Sequence, residues 1–198
     1  MSVRRKRVVT KAHNAAVMSA CPPRPANRRQ VLAGLGAAGA AALLPAGGRA
    51  RAQGAGSPPL PAVGSVLAPP PALSLLDGSP FAPDSVRGQL LVLYWWASWC
   101  PFCAVVSPEI DKLWRAQRGR GLRVLGLSVD RKPEDASGYL SRRGYIFPSA
   151  WVSPDLGQRY PKPAGLPVTV AVGRDGKVRM AEAGQLFPED VEGIARWL

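Results

Sequence analysis

The amino-acid sequence predicts an α/β domain: a central mixed β-sheet flanked by helices, with a short N-terminal β-hairpin and an extra helix insertion. Three observations carry this reading. Leu90 to Trp96 is apolar or aromatic at every position, the pattern of a strand covered on both faces. Strand-like and helix-like stretches then alternate, which calls for parallel pairing through helical crossovers. Near the end, Val168 to Val172 and Lys177 to Ala181 flank Arg174-Asp175-Gly176, a hairpin signal that adds antiparallel strands.

The chain divides by charge at Gln53. Ten Lys and Arg and no acidic residue precede it, and all 13 Asp and Glu follow it. The formal net charge of +13 falls to +3 from Gln53 onward, with 16 basic residues against 13 acidic. Nucleic-acid binding by the folded part has no support in that balance. Residues 1–52 read as an export signal. Asn27-Arg28-Arg29-Gln30-Val31-Leu32 sets a twin-arginine pair before an apolar run, Val31 to Leu44 is rich in Ala and Gly, and Ala50-Arg51-Ala52 supplies small residues for cleavage before Gln53. This stretch resembles a twin-arginine (Tat) signal, the route of proteins exported already folded. Its fourteen-residue apolar run reaches roughly 21 Å as a helix, short of the ~30 Å hydrocarbon core. A cleaved signal is therefore expected, and uncleaved anchoring is the one membrane association considered. A start at Met18 gives the signal a more ordinary charged region than a start at Met1. His13 and Cys21 fall in the leader either way, so the chain from Gln53 onward holds two cysteines and no histidine.

Residues 53–64, rich in Pro, Gly and Ala, read as a flexible linker, and 65–198 as one domain with one core. Leu73 to Leu75 and Phe81 flank Asp77-Gly78 as a short hairpin. After the strand at Leu90–Trp96 comes a helix from Pro101 to Gln117, striped by Val105, Ile110, Leu113 and Trp114 and expected to kink at Pro108. Leu122 to Val129 is the next strand, ending at Asp130. Pro133-Glu134-Asp135 opens a helix to Arg143. Phe147 to Val152 is a short strand, and Ser153-Pro154-Asp155 an N-cap with Pro at the first helical position. Pro188-Glu189-Asp190 starts the terminal helix.

Chemistry concentrates in Trp99-Cys100-Pro101-Phe102-Cys103, where the apolar strand gives way to a helix. A Cys-x-x-Cys at a helix start brings two sulfurs within bonding reach, and the unpaired N–H groups and dipole of the helix favour a thiolate on the first. Zinc is the rival for such a pair, but a structural zinc site has four ligands, and no other Cys or His follows residue 52. A purely structural disulfide usually closes a longer loop. Cu(I) binding by a chaperone fits soft thiolates but lacks further soft ligands here. The pair is therefore read as a redox centre. No cofactor and no metal are expected.

The Trp-Ala-Ser-Trp-Cys-x-x-Cys motif, Trp96 to Cys103, resembles the TlpA/ResA-type branch of the thioredoxin superfamily. The order Ala68-Pro69, Leu73 to Leu75, Asp77-Gly78 and Arg87-Gly88 is similar to the opening of such domains, and the likeness covers residues 65 to 198. It implies a thioredoxin-like fold and an exported thiol:disulfide oxidoreductase. Cys100 is then the nucleophile and Cys103 the resolving thiol. Gly165-Leu166-Pro167, just before a strand, matches the cis-proline that such folds place beside the dithiol. Trp99, Pro101, Phe102, Leu166 and Pro167 are the expected substrate-contacting residues, with Leu166 where the family more often has Thr. The expected partners are exported proteins bearing cysteines and a membrane electron donor that keeps the protein reducing, and the protein is expected to be a monomer. Oxidation or isomerisation of dithiols is the alternative enzymatic direction.

Three positions depart from that resemblance. Tyr94 stands where thioredoxin buries an Asp, Val106 where related reductants carry a Glu, and Val168 where cytochrome-maturation relatives can carry a Glu after the cis-proline. Glu109 fits none of these sites. No proton acceptor beside Cys103 is expected from the sequence. Trp95 and Trp96 are assigned to the core, and Arg118, Arg120, Arg142 and Arg143 to solvated surfaces.

Overall fold

The computed structural model describes residues 57–198. The export signal assigned to 1–52 and the first residues of the linker lie outside the described residues.

The sheet has five strands in the order β5-β4-β3-β6-β7. Its centre is β3 (Leu90–Trp96), buried at all seven positions. β3 pairs in parallel with β4 (Leu122–Ser128), and β4 in parallel with β5 (Ser149–Trp151). β6 (Val168–Val172) runs antiparallel to β3, and β7 (Val178–Ala183) antiparallel to β6. A separate two-stranded hairpin, β1 (Leu73–Ser74) with β2 (Pro80–Phe81), precedes them.

The alternation of side chains along β3 divides the core into two layers. Leu90, Val92, Tyr94 and Trp96 pack with α1 (Pro101–Gln117), α2 (Pro133–Arg143) and α4 (Pro188–Gly193) through Cys103, Val106, Ile110, Tyr139 and Val191. Leu91, Leu93 and Trp95 face the other way, onto Leu125, Leu127, Val168 and Val170. Tyr160, just past α3 (Pro154–Arg159), covers this second layer, stacking on Trp95 at 6.0 Å and 12°. α3 is the extra helix, lying between β5 and β6.

The four α-helices among the described residues all begin with Pro in the first turn, where its missing N–H removes no helical bond. Ser153 caps α3 by accepting from the Leu156 N–H at 3.2 Å. α2 ends at Gly144 with φ +67°, a left-handed closure that glycine adopts without strain. α1 runs unbroken past Pro108. The carbonyl that Pro108 leaves without its usual donor belongs to Ala104, an exposed residue. The strand expected from Phe147 is confined to Ser149–Trp151. Pro148 has no N–H to give, and the Phe147 N–H is taken by the Asp111 carboxylate at 3.1 Å.

One expectation needs correction. The described part of the 53–64 linker, from residue 57, is docked rather than free. Pro58 accepts from the Ala164 N–H at 3.1 Å, and Gly64 donates to the Val178 carbonyl at 2.8 Å. Leu60 and Leu67 pack on the second core layer. Its Pro, Gly and Ala content concealed this because the partners lie about a hundred residues onward, beyond the reach of a local composition argument.

Candidate active site

The end of β3 delivers the chain into the site. Trp95 and Trp96 are buried at the strand's last two positions, so the backbone arrives at Ala97 on a fixed path. The Asp130 carboxylate accepts from the Ser98 N–H at 3.1 Å and from the Ser98 hydroxyl at 2.7 Å, and Ser128 Oγ lies 2.7 Å from its other oxygen. The Asp130 carbonyl accepts from Trp151 Nε1 at 2.8 Å. One buried side chain at the end of β4 thus ties down the loop that presents Trp99 and Cys100.

Cys100 is the N-cap of α1, with extended backbone (φ −84°, ψ 116°). Its N–H donates to the Ala97 carbonyl at 3.2 Å, and its carbonyl accepts from the Ala104 N–H at 3.1 Å. Its Sγ accepts from the Cys103 N–H at 3.2 Å. A serine or aspartate oxygen normally fills this role. A sulfur held there faces the positive end of the helix, and a thiolate accepts more strongly than a thiol.

Both cysteines are free thiols. Cys100 is 4% exposed and Cys103 1%, so the first sulfur presents only an edge and the second is closed off. Burial pushes the Cys103 thiol well above its ordinary range, and its hydrogen bond with Cys100 adds to the rise. The Ala97 backbone and the Tyr94 hydroxyl pull in the opposite direction.

Around this edge the surface is apolar. Trp99 is 65% exposed and Phe102 55%, each far more open than large apolar side chains usually are. Pro101 is exposed, Leu166 half-buried and Pro167 buried. The Leu166–Pro167 peptide bond is cis. Val168 pairs with Trp95 across β3 and β6, which sets Pro167 at the strand end from which the Cys100 loop departs. The Pro167 carbonyl accepts from the Gly184 N–H at 2.8 Å. The structure therefore gathers Trp99, Cys100, Pro101, Phe102, Cys103, Leu166 and Pro167 at one end of the sheet.

Two features of the site escaped sequence reasoning. Asp130 was read only as the end of a strand. Tyr94, noted as a missing carboxylate, is fully buried with its hydroxyl 2.9 Å from Ser107 Oγ and 3.3 Å from the Cys103 carbonyl. The available signal was physical: a tyrosine inside an all-apolar strand needs a partner for its hydroxyl.

The chain matches the AhpC/TSA family over residues 66–181. It is 28% identical over 131 residues to the thiol-disulfide oxidoreductase ResA of Geobacillus thermodenitrificans, covering 66% of this chain and 75% of that protein. It is 29% identical over 116 residues to the thiol:disulfide interchange protein HelX of Rhodobacter capsulatus, covering 57% of this chain and 62% of that one. A crystal structure of a thioredoxin-family thiol:disulfide interchange protein from Chlorobium tepidum superimposes with a TM-score of 0.61 at 23% identity, covering 69% of this chain and 97% of that one. The five-stranded sheet, the helix-capping cysteine and a family match spanning more than half the sequence lead to one conclusion: the chain belongs to the AhpC/TSA family and has the thioredoxin-like fold.

Proposed function

We propose that this protein is an exported thiol:disulfide oxidoreductase of the ResA type that reduces disulfides in other exported proteins through Cys100 and Cys103. The observation that carries the reading is the Cys103 N–H directed at Cys100 Sγ from 3.2 Å at the start of α1. That contact holds the two residues of the pair together and sets Cys100 Sγ against the N-terminal N–H groups of α1.

In the proposed cycle the Cys100 thiolate attacks one sulfur of a partner disulfide. A mixed disulfide forms, and the partner's other sulfur leaves and takes up a proton. Cys103 then loses its proton and attacks Cys100 Sγ. The Cys100–Cys103 disulfide closes, the partner departs fully reduced, and two electrons have moved from protein to partner. An electron donor at the membrane restores the dithiol. Trp99, Pro101 and Phe102 offer the partner an apolar shelf. The Leu166 N–H and carbonyl have no partner among the described residues, leaving them open to strand-like pairing with an extended segment. The ResA and HelX names of relatives support the chemistry, and the twin-arginine pattern of residues 27–32 supports export. Among the described residues no helix is long and apolar enough to cross a membrane.

The test is exchange with a disulfide-bonded protein. Cys100→Ser should abolish turnover, and Cys103→Ser should accumulate a mixed disulfide through Cys100; turnover persisting in Cys100→Ser refutes the assignment. A reduction potential well below that of glutathione supports the reductant role, and one well above it assigns the opposite direction.

A further inference from the structure

Cys103 must become a thiolate to close the cycle, yet it sits where a charge is costly. No carboxylate is among the groups acting most strongly on its thiol. Asp111 accepts from the Ile146 and Phe147 N–H groups and from Arg115. Asp130 is held by Ser98 and Ser128. Glu109, about two turns along α1 from Cys103, lies 3.8 Å from Lys112 with its Oε2 buried and without a hydrogen-bond partner. On the β6 side, Thr169 pairs with Tyr94 across the sheet, and its buried hydroxyl has no partner. Toward α4 the neighbours Leu186, Val191 and Ile194 are apolar.

The polar group left at the thiol is the Tyr94 hydroxyl. A phenol has one proton to donate and oxygen lone pairs to accept with. Ser107 Oγ, 2.9 Å away, can be the donor in that pair. Tyr94 then keeps its own proton free, directed at the Cys103 carbonyl over 3.3 Å, a long bond that is easily exchanged for one to the neighbouring sulfur.

Resting on the reading above, we propose that Tyr94 is a catalytic residue of the resolving step: its hydroxyl, oriented by Ser107, donates a hydrogen bond to the Cys103 thiolate as that sulfur attacks Cys100. The Cys103 proton passes to solvent, Tyr94 keeps its own, and the S–S bond exchange is otherwise unchanged. Burial holds the Tyr94 phenol far above its ordinary range, so it serves as a donor and not as a base. The titratable groups acting most strongly on it are Cys103 of α1, Cys100 at its N-cap and Tyr139 of α2, with no carboxylate among them. An uncharged donor in this place stabilises a thiolate without holding a competing negative charge beside it.

The experiment uses the reduced protein and an aromatic disulfide of the Ellman type, whose released thiolate absorbs light. Attack by Cys100 releases the first equivalent, and attack by Cys103 on the resulting mixed disulfide releases the second. Tyr94→Phe should leave the first phase unchanged, slow the second roughly ten- to a hundredfold at neutral pH, and move the midpoint of its pH profile upward. Ser107→Ala should slow the second phase less, since it removes the orienting partner only. A second phase with unaltered rate and midpoint in Tyr94→Phe overturns the proposal, and so does a slowed phase whose midpoint has not moved. Loss of the second phase in Cys103→Ser, with the first retained, is the reference. A first phase surviving in Cys100→Ser would instead overturn the dithiol assignment beneath it.

Discussion

Asp130 shows how one side chain can set the geometry of a loop it does not belong to. Its carboxylate takes two hydrogen bonds from Ser98 and one from Ser128, while its main chain holds Trp151. Three elements therefore meet at a residue that is 4% exposed. Truncation leaves the half-buried Ser98 N–H and hydroxyl and the buried Ser128 hydroxyl without this acceptor, a loss of about 1–3 kcal/mol. The same change frees the loop carrying Trp99 and Cys100, and small displacements of reacting atoms carry large rate penalties. Asp130→Ala is expected to lower the denaturation midpoint and to slow exchange by about tenfold or more, measured by urea unfolding and by turnover of a disulfide substrate. An exchange rate matching the parent protein would show that the loop holds its place without the carboxylate.

At the scale of elements, the strongest local signals were the most informative. Leu90 to Trp96 could only be a doubly covered strand, and the prolines at 101, 133, 154 and 188 marked helix starts that the structure places there. The contacts that sequence could not reveal join residues far apart along the chain: Ser98 with Asp130, Tyr94 with Ser107, and Asp111 with Ile146 and Phe147. Each is a polar side chain whose partner is chosen by the fold, so neither periodicity nor propensity reports it. Gly126 is another such position, a glycine within β4 that reads as a weak spot in a strand. There a Cβ would meet the Ser149 hydroxyl and would come within 2.9 Å of Phe147 and 3.0 Å of Trp96. The glycine lets Trp96 and Phe147 pack edge to face, with ring centroids 6.1 Å apart, just behind the site. Gly126→Ala should destabilise by about 1–3 kcal/mol through overpacking, read as a fall in Tm of several degrees. An unchanged Tm would mean that the aromatic layer yields to a methyl group.

For the molecule as a whole, each outer strand of the sheet is covered over part of its edge. Residues 64–67 bond to Gly176 and to Val178 at the start of β7, Val66 bridging to Lys177, and the β1–β2 hairpin meets β5 through the Leu76 N–H to the Ser149 carbonyl at 2.7 Å. Such cover hinders strand addition between copies. The same enclosure that buries Cys103 links stability to pH. Its thiol is raised in the folded protein, chiefly by burial, whereas in the unfolded chain it titrates near the ordinary value of about 8.5. Above that value the unfolded chain has lost a proton that the folded protein keeps, so the native state binds more protons and stability falls as pH rises. Below it both states hold the proton and the full stability is present. One such group steepens the decline by at most about 1.4 kcal/mol per pH unit. The buried Tyr94 phenol, also raised by burial, adds to the slope only above about pH 10. Between roughly pH 9 and 10, reduced protein should therefore lose stability more steeply than Cys103→Ala. The comparison needs only urea unfolding at two pH values under reducing conditions, and equal slopes for the two proteins would mean that Cys103 titrates in the native state much as it does in the open chain.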